Sequence, residues 1–203
     1  TRKGLMAELL QRCTRMKVVQ VKDRTRVRPD CVYVIPPNKD MSILHGVLHL
    51  LEPASPRGLR LPIDFFLRSL AQDQQEHSIG VILSGMGSDG TLGLRAIKEK
   101  GGVVLVQDPA TAKFDGMPRS AIGTGLADFI APPEELPALL LKYVQHPLAR
   151  MDGNLTLAAG VPESALLSVF AILRERTGVD FSCYKSATID RRLERRMSVQ
   201  QID

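Results

Sequence analysis

The residues best placed for chemistry lie in one short turn, Gly85-Met86-Gly87-Ser88-Asp89-Gly90. It follows an apolar run, Val81-Ile82-Leu83, and opens an amphipathic stretch that ends in Gly101-Gly102. A second apolar run, Val103 to Val106, is followed by Gln107-Asp108. Two chemistries compete for this pattern. Read as G-x-G-x-x-G between a strand and a helix, with an acid about 20 residues on, it is a dinucleotide cradle. Read as a carboxylate at the carboxyl end of a strand, it suits acid–base work, because open α/β sheets place their sites there. A buried acid in that position can orient a histidine and stabilise the imidazolium formed when the histidine takes a proton.

Three features weigh against the cradle. Asp89 would place a fixed negative charge where a pyrophosphate must approach backbone N–H groups. At least two strand-like runs precede the turn, whereas the dinucleotide motif joins the first strand to the first helix. Gly93 already supplies a small residue for helix–strand packing. The plain structural role for Asp89 is to cap the helix that starts at Thr91. A second loop, Phe114-Asp115-Gly116-Met117-Pro118-Arg119, follows the 103–107 strand, and a helix is predicted from Ser120. Its methionine and phenylalanine could form an adaptable apolar wall beside a site, or simply pack the loop.

These turns need a scaffold. Apolar, β-branched runs occur at 18–21, 32–35, 79–83, 103–106 and 129–131, mostly continuous, as in parallel strands covered on both faces. Helical periodicity fills the gaps: Leu5, Leu9 and Leu10; Pro62 to Gln74, with proline suited to a first turn; Thr91 to Lys100; and a segment after Pro133. Strands alternating with helices predict a doubly wound, mainly parallel α/β sheet. Two short apolar runs around His45-Gly46 predict a β-hairpin beside it. The periodic pattern stops at 147–160, which reads as a linker between an α/β domain at 1–146 and a short all-helical segment at 161–203. There Pro162-Glu163 open a helix with an apolar stripe of Leu166, Val169, Phe170 and Leu173, stopped by Gly178. A second helix from Thr188 carries Arg191, Arg192, Arg195 and Arg196 on one flank and Ile189, Leu193 and Met197 on an apolar side. Two such helices bury too little to stand alone as a domain.

Composition narrows the function classes. With 27 basic and 22 acidic residues the formal charge is +5, much of it in the C-terminal arginines, so no broad nucleic-acid footprint is expected. Cys13, Cys31 and Cys183 are widely spaced and lack metal-ligand spacing, which reads as free thiols in a reducing compartment. No apolar run approaches the ~20 residues that span a bilayer, and the first residues do not form a secretory signal. A cytoplasmic protein is the expectation.

Four segments, 81–102, 113–122, 32–43 and 61–71, together resemble the catalytic domain of the CheB family, the chemotaxis protein-glutamate methylesterases. The resemblance runs over roughly residues 3–145. Residues 173–197 resemble the start of the N-terminal helical domain of CheR-type receptor methyltransferases, and the order is that of fused proteins of this pathway. The resemblance implies hydrolysis of glutamate methyl esters on the cytoplasmic helices of methyl-accepting receptors, with glutamine deamidation in many members, by a serine–histidine–aspartate triad without metal or cofactor. Asp89 matches the triad acid of the family's G-M-G-x-D-G motif. Met86 and Gly87 share that turn at the site's edge, and Met117 and Pro118 match the family's G-M-P loop near the substrate. Arg191, Arg192, Arg195 and Arg196 would form the basic face that docks on glutamate-rich receptor helices. The family's G-A-S-x-G-G nucleophile turn and strand-terminal histidine do not occur in these 203 residues, and residues 1–10 resemble the helix that follows that histidine. The expectation is a methylesterase domain truncated at its N-terminus, inactive alone and prone to associate through exposed sheet. A non-catalytic receptor-docking module and a nucleotide-binding α/β domain remain the alternatives.

Overall fold

The computed structural model describes residues 5–54, 56, 60–145 and 163–179, with single positions at 189, 192, 193, 196, 197, 199 and 200. The chain divides into two compact units, Thr1–Leu136 and Pro137–Asp203.

In the first unit the order is α1 (Leu5–Gln11), β1 (Lys17–Gln20), β2 (Thr25–Arg26), β3 (Cys31–Val34), β4 (Asp40–Leu44), β5 (Val47–Leu51), α2 (Pro62–Gln74), β6 (Ile79–Ile82), α3 (Thr91–Glu99), β7 (Val103–Gln107), α4 (Gly116–Gly123) and β8 (Phe129–Ala131). The parallel strands form two ladders, β1 beside β3 and β6-β7-β8. The alternation of strand and helix and the long apolar runs thus fold as an α/β unit with parallel pairing. β7 is the middle strand of its ladder and is buried along its whole length, which is why its run, Val103 to Val106, has no polar interruption. β6 differs from the two-sided burial its run implies. Gly80 and Ile82 face the core, while Val81 is 42% exposed at the end of the ladder.

The predicted hairpin is β4 and β5, antiparallel, with β2 added to its other side. His45 and Gly46 both have positive φ, +50° and +70°, as a two-residue turn matching strand twist requires. Their N–H groups donate to the carboxylate of Asp73 near the end of α2. α2 lies between two hydrophobic clusters of this unit. Leu67 and Ala71 join Ile82, Leu94, Ile97, Val104 and Val106, while Phe66 and Leu70 pack against that cluster and also on Val21, Met41, Ile43 and Leu48. Burying each such side chain is worth roughly 1.5–3 kcal/mol, so this one helix ties the hairpin sheet to the β6–β8 ladder.

α5 (Leu136–Gln145) begins at the last residue of the first unit, and α6 (Glu163–Thr177) belongs to the second. α6 starts and stops where its proline and glycine place it: Gly178 has φ +72° and donates to Arg174 O at 2.9 Å. His146, the expected linker at 147–160, Cys183, Thr188, Arg191 and Arg195 lie outside the described residues.

Candidate active site

The turn between β6 and α3 is shaped by close approach to its neighbours. Gly90, directly after Asp89, has φ +97°, and a Cβ there would meet Ile82 Cδ1 at 2.6 Å and Ile63 Cγ2 at 3.1 Å. A Cβ on Gly85 would strike the sulfur of Met117. Both glycines therefore have reasons internal to the protein, and neither needs a phosphate to explain it. The first turn of α3 already holds an anion: Gly93 N donates to Asp64 Oδ1 at 2.6 Å. A carboxylate so placed repels a nucleotide phosphate from the helix end that would have to bind it.

Asp89 is not the cap of its own helix. Its carboxylate reaches across to the first turn of α2, accepting from Ile63 N on Oδ2 (3.1 Å) and from Asp64 N on Oδ1 (2.9 Å). Leu61, at the N-cap of α2, makes no side-chain bond, so Asp89 takes over that function from another segment. A carboxylate offers about four lone-pair sites, so two remain for a further donor such as an imidazole N–H. Asp89 is half-buried at the carboxyl end of β6.

A cavity of about 550 Å³ lies at the carboxyl ends of β1 and β3. Its wall is mainly apolar, with Met6, Val34, Pro36 and Pro62 beside Lys39 and Arg60. Pro62 is the first residue of α2, next to the N–H groups that hold Asp89. The carboxylate and the cavity thus share one helix end. An apolar recess with a few charged groups at a strand edge is the usual form of a small-substrate site.

The second loop is locked to the first. Gly85 N donates to Phe114 O and Met117 N to Gly85 O, both at 2.9 Å, and Phe114 N donates to Ser84 Oγ at 3.0 Å. Gln107, 5% exposed, accepts from Ser84 N at 2.9 Å and donates to Thr111 Oγ1 at 3.2 Å. The helix after this loop begins at Gly116, not at Ser120. Proline is tolerated in a first helical turn, where its missing N–H is not needed, so Met117 and Pro118 stand on the helix. Met117 packs against the core and Pro118 is fully buried, leaving Met86, 75% exposed, and Phe114, 48% exposed, as the apolar groups at the open edge. Gly87 is exposed in the same turn with φ +83°. Asp115 and Arg119 pair at 2.6 Å on the surface; the Arg119 hydrogen bond holds the Asp115 carboxyl below its usual range.

Asp64 and Gln107 take part in this architecture, and sequence reasoning did not single them out. The one available signal was an acid two residues after Pro62, in a first helical turn. The described histidines stand elsewhere. His77 precedes β6, at the opposite end of the strand from Asp89. His45 binds Asp73, nine residues along α2 from Asp64, or roughly 13 Å at 1.5 Å per residue. His49, on β5, has Nδ1 4.0 Å from Asp23 Oδ1. In the second unit, Arg192 and Arg196 are helical and exposed, Ile189 is buried, and Leu193 and Met197 are half-buried.

Fold and site together define an α/β protein with an acid held at the carboxyl edge of a parallel strand. Residues 1–140 match the CheB methylesterase family, and residues 165–203 match the CheR methyltransferase all-alpha domain. An uncharacterized 104.1 kDa protein of Rhodobacter capsulatus is 39% identical over 97% of this chain and 23% of its own length. A protein-glutamate methylesterase/protein-glutamine glutaminase of Moorella thermoacetica is 37% identical over 70% of the chain and 35% of its own length. The crystal structure of the Thermotoga maritima CheB methylesterase catalytic domain superposes with a TM-score of 0.61 at 31% identity, covering 67% of this chain and 74% of that one. The chain belongs to the CheB methylesterase family, and a CheR-type helical segment follows the methylesterase-type domain. It spans 23% and 35% of the length of the first two relatives. No helix among the described residues is long and apolar enough to cross a membrane.

Proposed function

We propose that this chain is the acid-bearing part of a cytoplasmic, chemotaxis receptor-modifying protein that hydrolyses glutamate methyl esters on receptor signalling helices, with glutamine deamidation as a second reaction of the same site. In this reading a serine hydroxyl attacks the ester carbonyl while a histidine takes its proton. Methanol leaves with that proton, and water then releases the glutamate carboxylate. Asp89 orients the histidine and stabilises its charged form. Met86 and Gly87 edge the site, and Met117 and Pro118 hold the facing loop. This reading takes the serine and the histidine from outside these 203 residues, since none of the described histidines, His45, His49 and His77, stands beside Asp89.

The observation that supports this reading most is the placement of Asp89, inside the family match and fixed by two backbone donors with lone pairs to spare. The same reading divides the chain into the methylesterase-like domain at 1–146, a linker at 147–160 and the start of a methyltransferase-like domain at 161–203. It assigns Arg191, Arg192, Arg195 and Arg196 to docking on acidic receptor helices.

The test is methanol release from a methylated receptor fragment by the longer protein that carries this chain. Asp89→Asn should lower kcat by about 10³–10⁴-fold, and the 203-residue chain alone should give no turnover above background. Full activity in Asp89→Asn would overturn the assignment. Receptor binding by the longer protein without any methanol release would leave only a docking role.

A further inference from the structure

The two helices beside the turn exchange carboxylates. Asp89, just before α3, accepts two N–H groups from the first turn of α2. Asp64, in that first turn of α2, accepts the N–H of Gly93 in the first turn of α3 at 2.6 Å. Neither helix caps itself, because the N-cap residues Leu61 and Gly90 make no side-chain bond. Asp64 is 4% exposed and Gly93 is buried, so no water stands ready to replace the bond. The helices touch almost backbone to backbone there: a Cβ on Gly93 would lie 2.5 Å from Leu67 Cβ and 3.2 Å from Asp64 Cα.

From this clasp we infer that Asp64 is a positioning residue for Asp89, an inference that rests on Asp89 acting as the orienting acid. Besides the bonds of Asp89 itself, the turn is anchored on both flanks. On the β6 side Gly85 is bonded to Phe114 and Met117; on the α3 side the anchor is Asp64. Between them Met86 is 75% exposed, and Gly87, with φ +83°, is held only by a 3.4 Å bond from Ser120 Oγ to its carbonyl and by close approach to Gly116. An acid that must keep an imidazole in hydrogen-bond geometry tolerates displacement of about 0.5 Å. Without Asp64 the Gly93 N–H is buried unpaired, α3 shifts to find a partner, and Asp89 moves with it.

The experiment uses the longer protein, with kcat counted per serine labelled by a fluorophosphonate so that unfolded molecules do not contribute. Asp64→Ala should lower kcat by about 10- to 100-fold with KM unchanged, and Asp64→Asn, whose amide oxygen still accepts from Gly93, should recover most of it. Wild-type kcat in Asp64→Ala, with only a lower Tm, would overturn the inference. Should Asp64→Ala not fold, Asp64→Asn decides: a loss of kcat beyond about tenfold would refute the hydrogen-bond account, and near-native kcat supports it. Asp89→Asn is measured in parallel. If that variant keeps its activity, the reading of Asp89 fails; if it is inactive while Asp64→Ala is unaffected, the positioning role alone fails.

Discussion

Gly93→Ala tests the α2–α3 contact by the smallest possible perturbation. The added Cβ would sit 2.5 Å from Leu67 Cβ and 3.1 Å from Leu67 Cδ1. Ordinary carbon contacts lie at about 3.5–4 Å, so the overlap with Leu67 Cβ is roughly 1 Å. That atom is fixed to the α2 backbone and cannot rotate away, so the helices must separate by a similar distance. Overpacking of this kind costs about 1–3 kcal/mol, and weakening the buried Gly93–Asp64 bond adds about 1 kcal/mol. Replacing glycine by alanine inside a helix returns about 1 kcal/mol. The net is a destabilisation of about 2 kcal/mol, or a Tm lower by roughly 6–10 °C for a domain of this size. Gly123→Ala is the control. It ends α4 with nothing within 4 Å of its added Cβ, and should be neutral or slightly stabilising. Both are read by thermal and urea unfolding followed by circular dichroism. A Gly93→Ala protein as stable as the parent would refute the close contact, and with it the clasp that positions Asp89.

Four further outcomes are expected. Asp73→Ala should lose about 1–2 kcal/mol, because the N–H groups of His45 and Gly46 lose their acceptor in a turn held at positive φ. Burial alone would raise the Asp73 pKa, but bonds from Gln74, Gly46 and His45 outweigh it and hold it below the ordinary carboxylate value. Its folded pKa is depressed, so its contribution is present above the unfolded pKa and fades as pH falls through the folded one; the urea midpoint gap between parent and Asp73→Asn should therefore close on acidification through about pH 4 and below. Asp89→Ala should also lower stability, by about 1–2 kcal/mol, since α2 loses its borrowed cap, and the shift is measurable in the urea midpoint. Charge reversal at Arg192 and Arg196 should weaken binding of the longer protein to receptor fragments and flatten its salt dependence; unchanged affinity across a salt series would remove the docking role. The 203-residue chain alone should self-associate through the open side of β6, where Val81 and Leu83 are 42% and 48% exposed, and a monomer in sedimentation at high concentration would contradict this.

Much of this protein was legible in its residues alone. The unbroken run Val103 to Val106 implied a strand buried on both faces, and it is buried from end to end, because a middle strand in a parallel ladder has no wet side. His45-Gly46 between two apolar runs implied a hairpin, Pro62 a helix start and Gly178 a helix stop, all rules of local backbone geometry. Asp89 stood out because open α/β sheets place their sites at the carboxyl ends of strands, where this acid lies. Its partner could not be read that way. Local rules assign Asp89 to the helix that follows it, yet its bonds go to Ile63 and Asp64, 26 and 25 residues earlier. A separation of 29 residues hid Asp64 in the same way, since its acceptor role exists only because α2 and α3 pack at Gly93. The start of α4 also shifted, from Ser120 to Gly116, once Met117 N found Gly85 O. Spacing and periodicity determine which segments become strands, helices and turns, because those preferences act within a few residues. Which carboxylate meets which N–H was decided by tertiary packing alone, because a hydrogen bond between two helix ends depends on where both helices lie.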